Sequence, residues 1–112
     1  MEINYEDFLK LDIRVGLVKN CDKIKNSRNL YKLIVDLGDL GLRQIITGIA
    51  TYYSPKELIN EKIIMLVNLK SKLIMGFESQ GMLLAADVRN EPILLRIDDR
   101  EGRNAPPGAK IK

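Results

Sequence analysis

The sequence predicts a small all-β domain with short helices, closed as a five-stranded barrel and extended at both ends. Three observations predict it. Short runs rich in Val, Ile and Leu are separated by clusters of Gly, Asn, Asp and Pro. A strong helix start, Ser54-Pro55-Lys56-Glu57, falls between the third and fourth of those runs. The length of 112 residues leaves room for one core, so residues 1–112 are expected to form a single domain.

Taken in order, Asn4 is positioned to cap a helix over Tyr5 to Lys10, with Glu6 and Asp7 near its positive end. Phe8, Leu9 and Leu11 are its expected apolar contacts. A strand follows from about Asp12 to Cys21. There Ile13, Val15 and Leu17 alternate with Asp12, Arg14 and Gly16, the period of a strand buried on one face. Gly16 inside it predicts a bulge or bend of the kind a closing barrel needs. Asp22 to Asn29 is polar and basic and reads as a loop. Strand two, Leu30 to Leu37, connects through Gly38-Asp39 and Gly41 to strand three, Arg43 to Thr47, as a hairpin.

Serine caps the helix at residue 54, proline takes its first position, and the helix is expected to end near Asn60. Strand four is Lys62 to Leu69 and strand five Met82 to Asp87. Asn90-Glu91-Pro92 separates a last strand, Ile93 to Ile97. A charged tail from Asp98 to Asn104 leads to a rigid Pro106-Pro107-Gly108 turn, with Ile111 the final apolar residue. Three strands, a helix and two more strands is the order of an OB-fold, a small Greek-key barrel.

Composition narrows the chemistry. Cys21 is the one cysteine and there is no histidine. A disulfide within the chain and a His- or Cys-based zinc site are excluded, and catalysis loses its commonest general base. No Gly-rich phosphate loop occurs, and Asp98, Asp99 and Glu101 read as a solvated tail. A non-catalytic binding module without cofactor or metal is expected. No apolar run is long enough to span a bilayer, and Met1-Glu2-Ile3-Asn4 does not resemble a secretion signal, so a cytoplasmic location is expected.

The net charge of +3 is mild, but it is clustered. Barrels of this type bind ligands on strands two and three, framed by the loops between strands one and two and between strands four and five. The first loop carries Lys23, Lys25 and Arg28 against Asp22. The second, Lys70 to Ser79, carries Lys70 and Lys72 against Glu78. Nucleic acid is the expected partner. Lysines meet phosphate, Ser79 and Gln80 can hydrogen-bond a base edge, and Met75 and Met82 offer soft apolar surface for a base. Arg43, at the start of strand three, suits either phosphate or a salt bridge to Asp36 or Asp39. Tyr31 suits either base stacking or burial, whereas Tyr52 and Tyr53 are expected to pack the helix onto the barrel.

Several segments carry a resemblance to a known family. They are Asp12-Ile13-Arg14-Val15-Gly16, Val35-Asp36-Leu37-Gly38, Arg43 to Ala50, Asn68-Leu69-Lys70, Met75-Gly76 with Glu78 to Ala86, and Pro106 to Ile111. Together they closely resemble the tRNA-binding domain appended to methionyl-tRNA synthetases, found also as a synthetase β subunit, as free-standing tRNA-binding proteins and in multisynthetase-complex cofactors. The resemblance implies a domain that grips tRNA by its structure and adds affinity to a synthetase catalytic subunit. Carried over, the contact positions are Asn68, Lys70, Lys72, Ser79, Gln80 and Met82, with Met75 nearby. Lys23, Lys25, Arg28, Asn29 and Arg43 complete the expected RNA-binding set.

The chain departs from the family pattern at Ser71, where proline is usual, and at Leu73, where a basic residue is usual. In the first loop Arg28 and Asn29 stand where aspartate and lysine are usual. The resemblance also implies a twofold homodimer built from the chain ends, through Ile3, Phe8, Leu9 and the segment from Ala105 to Ile111. An export-related protein-binding chaperone of the same fold is the alternative reading.

Overall fold

The computed structural model describes residues 1–112. A one-turn helix, α1 (Tyr5–Phe8), precedes the long strand β1 (Ile13–Lys23). The hairpin β2 (Tyr31–Asp36) and β3 (Leu42–Thr47) follows, then helix α2 (Pro55–Leu58) and β4 (Lys62–Leu66). A hairpin of β5 (Lys72–Ile74) and β6 (Phe77–Ser79) leads to β7 (Met82–Leu83). A third hairpin, β8 (Ala85–Val88) with β9 (Glu91–Leu94), and a tail strand, β10 (Lys110–Ile111), complete the chain. The main sheet runs β3-β2-β1-β4-β7, all antiparallel, with β10 also on β1. It curls into a nearly closed OB-like barrel. No helix is long and apolar enough to cross a membrane.

The β2–β3 hairpin pairs as expected, from Tyr31↔Thr47 to Asp36↔Leu42. The second helix also starts as expected. Ser54 Oγ accepts from Glu57 N at 3.3 Å, Glu57 Oε1 accepts from Ser54 N at 2.8 Å, and Leu58 is buried. Tyr31 is buried, and its hydroxyl donates to Tyr53 O at 2.7 Å, so the burial alternative holds for it.

Elsewhere the structure corrects the expectations. The first helix stops at Phe8 and buries nothing, and Leu9 and Leu11 are exposed. Its Tyr5 and Phe8 rings stack on each other, 6.4 Å apart. In β1 the alternation fails because Val15, Gly16, Val18 and Cys21 are the buried residues. The irregularity lies between Val18 and Asn20, not at Gly16, where pairing with β4 is continuous from Ile13↔Leu66 to Leu17↔Lys62. Gly16 is required by close approach. A β-carbon there would collide with Val35 Cγ1 and press Leu37 Cδ2 at 3.3 Å.

Strand four ends at Leu66 rather than Leu69. The expected fifth strand divides at Leu84. Only Met82–Leu83 pairs with β4, and the chain then leaves the barrel as β8. The last strand is Glu91–Leu94 and includes Pro92, which an edge position tolerates because the missing N–H needs no partner. The tail returns to its own barrel: Gly108 N donates to Val15 O at 2.8 Å and Val15 N to Ala109 O at 2.9 Å.

The barrel closes without a β3–β7 ladder. Gln80 N donates to Gln44 O at 2.8 Å, and Gln44 N donates back to Gln80 Oε1 at 2.9 Å. Ser79 Oγ accepts from Ile46 N at 3.0 Å and donates to Gly81 O at 3.2 Å. Side chains thus supply the hydrogen bonds that a neighbouring strand would have made.

Two changes test this packing by urea unfolding. Ser79→Ala strands the buried N–H of Ile46 and is expected to destabilise by about 1–3 kcal/mol. Gly16→Ala overfills the barrel wall and is expected to lose about 1–3 kcal/mol. No loss in either variant would refute the roles assigned here.

Burial, helped by the neighbouring Asp22 charge, pushes the Cys21 thiol from 9.0 up to about 11. Burial raises Tyr31 as well. Both groups stay protonated in either state at low pH. Above pH 9 the unfolded chain releases the Cys21 proton first, so stability should fall as pH rises toward 11. Urea midpoints across that window should fall less steeply in Cys21→Ala than in the parent.

Candidate nucleic-acid interface

The second framing loop is a hairpin rather than an irregular loop. Its turn is Met75-Gly76, both left-handed with φ of 53° and 84°, the geometry that suits a two-residue hairpin connection. Methionine rarely adopts that conformation, and here it is exposed. Gln44 Nε2 donates to Glu78 O at 2.9 Å and ties the hairpin to β3.

The first framing loop is also held in shape. Ile24 N donates to Leu30 O at 3.0 Å, and Ser27 Oγ accepts from Leu30 N at 3.0 Å. Lys23 Nζ donates to Ser27 O. Asn29 anchors the loop to the chain after β3: its Nδ2 donates to Gly48 O at 2.9 Å, and its Oδ1 accepts from Thr51 N at 3.0 Å.

Between the two loops lies a groove of about 410 Å³, lined by residues 22–26, Lys32, Met75 and Phe77. The Lys32 ammonium sits 5.2 Å from the centre of the Phe77 ring. Ile24 is buried beneath the groove, while Met75 and Phe77 present exposed apolar surface. Apolar walls inside a cationic rim can hold a flat, partly apolar group that carries negative charge at one end.

Apart from Lys23, exposed but bound to Ser27 O, the expected site residues fall into two groups. Lys25, Arg28, Lys70, Lys72, Met75 and Met82 are exposed, and the four cations among them form no ion pair or side-chain hydrogen bond. The second group is engaged within the protein. Ser79 is 6% exposed and Gln80 is spent on barrel closure. Asn68 Oδ1 accepts from Asp12 N at 2.9 Å and its Nδ2 donates to Lys10 O at 2.7 Å, so it holds the link from α1 to β1. Arg43 is half-buried and donates to Val67 O at 3.1 Å. It does not pair with Asp36 or Asp39. Asn29 is the loop anchor described above.

Two residues escaped the sequence reading, Lys32 and Phe77. Lys32 follows the buried Tyr31 on β2, so the period of two already turns it onto the outer face. Phe77 is one of only two phenylalanines, and it stands just past a tight turn among polar residues.

The ion pairs complete the electrostatic picture. They join Asp7 to Lys10, Asp12 to Arg14, Glu61 to Arg96, and Asp98 or Glu101 to Arg100 or Arg103. None lies in either framing loop. The groove lining itself holds three lysines, Lys23, Lys25 and Lys32, against one carboxylate, Asp22, and none of the four is in an ion pair.

A family model described as "Putative tRNA binding domain" matches residues 13–108. The methionine–tRNA ligase of Archaeoglobus fulgidus is 44% identical over 110 residues, 98% of this chain and 16% of the ligase. That of Thermotoga maritima is 45% identical over 109 residues, 97% of this chain and 16% of the ligase. The chain therefore spans about one sixth of the length of these curated relatives. Among solved structures, a MetRS-related protein from Pyrococcus horikoshii superimposes with a TM-score of 0.85 at 42% identity, covering 100% of both chains. The chaperone CsaA of Bacillus anthracis superimposes with a TM-score of 0.86 at 31% identity, also over 100% of both. The shared barrel, the family model over residues 13–108 and the match to relatives across nearly the whole length agree: this chain belongs to the tRNA-binding domain family.

Proposed function

We propose that this chain binds tRNA, mainly through backbone charge and overall shape, as an auxiliary subunit or domain of methionyl-tRNA synthetase in the cytoplasm. The observation that carries the reading is the unpaired basic face. Lys25 and Lys32 line the groove beside Asp22, and Arg28, Lys70 and Lys72 stand exposed on the framing loops; none of these five cations is in an ion pair. Such a face neutralises phosphates and discriminates weakly among sequences, because phosphate contacts position a nucleic acid without reading it.

Fluorescence anisotropy with labelled tRNA tests this. Binding should weaken steeply with salt, with a log–log slope of about −0.7 per neutralised phosphate for single-stranded contacts. The double variant Lys70→Ala/Lys72→Ala should bind more weakly and with a shallower slope. Its stability should stay within about 0.5 kcal/mol of the parent. Salt-independent binding, or parental affinity in the double variant, would refute the reading.

A second reading, a protein-binding chaperone of the export-related type, draws on the CsaA structures of the same fold. An unfolded polypeptide that displaced tRNA at equal concentration would favour it.

We also infer a homodimer. Ile3, Tyr5, Leu9 and Leu11 are exposed at one end of the sequence, and Val88, Ile93 and Leu95 lie exposed toward the other. The tail from Gly108 to Ile111 is paired with its own β1, so the N-terminal segment is the cleaner probe of the interface. Sedimentation equilibrium at micromolar concentration should give twice the chain mass. Tyr5→Glu/Leu9→Glu should shift it toward monomer, and should leave the unfolding midpoint unchanged when both proteins are compared at concentrations low enough to be monomeric, since neither residue is buried within one chain. A monomer mass for the parent chain would end the idea.

A further inference from the structure

Phe77 is the feature that phosphate binding leaves unexplained. A face that only neutralises a backbone needs cations, not an exposed aromatic ring. Yet the hairpin sets Met75 in its turn and Phe77 just past it, and presents both at the groove. The hairpin cannot easily swing away, because Gln44 holds Glu78 O and Ser79 and Gln80 clasp β3 directly after it. Lys32 lies over the ring, and Lys25 stands at the rim.

This arrangement distinguishes two forms of RNA. In a duplex the base faces are covered by their neighbours, and the deep major groove admits no side chain. A duplex would meet the exposed lysines through its phosphates and offer the ring no base face to stack on. An unpaired base exposes both faces and can stack on an aromatic side chain, with methionine closing the apolar wall. Its phosphate would then reach the ammonium groups at the rim.

We propose that the groove between the first loop and the β5–β6 hairpin is a pocket for one unpaired nucleotide. Its base stacks against Phe77 and Met75, and its phosphate is held by Lys25 and Lys32. The proposal rests on the RNA-binding reading above and names the part of an RNA that this site prefers. Asn26, in the same lining, offers an amide to the edge of the base.

The chain has no tryptophan, so Phe77→Trp places a unique fluorophore in the pocket. Titration with a short single-stranded oligoribonucleotide should quench it as the base stacks, whereas a blunt duplex of equal length should bind more weakly and quench little. In anisotropy measurements Phe77→Ala should lose roughly 5- to 150-fold in affinity for the single strand, the range for one stacked base. Its salt slope should match the parent's, since no charge is removed. Phe77→Tyr keeps a ring and should bind like the parent, which separates lost stacking from lost folding.

If the parent binds tRNA while Phe77→Trp shows no quenching, or while Phe77→Ala binds the single strand unchanged, the pocket is refuted and the RNA-binding reading survives. Equal affinity of the parent for single strand and duplex has the same consequence. If the parent binds no RNA, both fall.

Discussion

The structure depends on how the barrel is closed. A small Greek-key barrel must join its third strand to its last, and an ordinary ladder would continue β7 along β3. Here the connection is made by the side chains of Ser79 and Gln80 and one backbone hydrogen bond from Gln80, with the Gln44 amide reaching back to Glu78 O. Gly81 lets this segment lie against β4: a β-carbon there would stand 2.8 Å from Leu66 O. Because the closure occupies so little chain, β6 is free to project as one arm of a hairpin. That hairpin covers part of the outer face of β2 and β3 and builds one side of the groove.

The same economy explains why motif and contact surface do not coincide. Glu78 to Gly81 is the most recognisable stretch of the chain, yet Ser79 is buried and the side chains of Ser79 and Gln80 are both bound to backbone. The groups free to meet a ligand flank it: Lys70 and Lys72 before it, Met75 and Phe77 at the turn, Met82 after it. Charge is partitioned in a similar way. The arginines outside Arg28, Arg43 and Arg89 are all held by carboxylates, whereas the lysines of the framing loops are not. A lysine that keeps its rotamer freedom and its hydration can follow an irregular phosphate backbone.

The sequence made much of this legible, and the failures share a cause. Strand order, the β2–β3 hairpin, the α2 cap and the two basic loops all rest on local signals: periodicity, turn residues and capping chemistry. Those signals survive folding. The roles of Ser79, Gln80, Asn68 and Asn29 rest on partners 19 to 58 positions away in the chain. Nothing local distinguishes a polar residue that meets a ligand from one that meets a distant backbone amide. The break at Leu84 is of the same kind, since an apolar run continues through it while the barrel ends. Gly16 was read as a bend because the residues that crowd it, Val35 and Leu37, lie on another strand.

The return of the tail onto β1 has an architectural consequence. Ile111 sits opposite Ile13, so the outer limits of the barrel chain lie side by side at the start of β1. The groove lies at the other end of that strand, beside Asp22 and Lys23. Eleven residues of extended strand separate the two, roughly 36 Å of chain at the usual rise. A polypeptide fused before or after this barrel would therefore depart from one pole while the groove between the framing loops occupies the opposite one. The fold is wired like a plug, with both leads on the handle and the contacts at the tip.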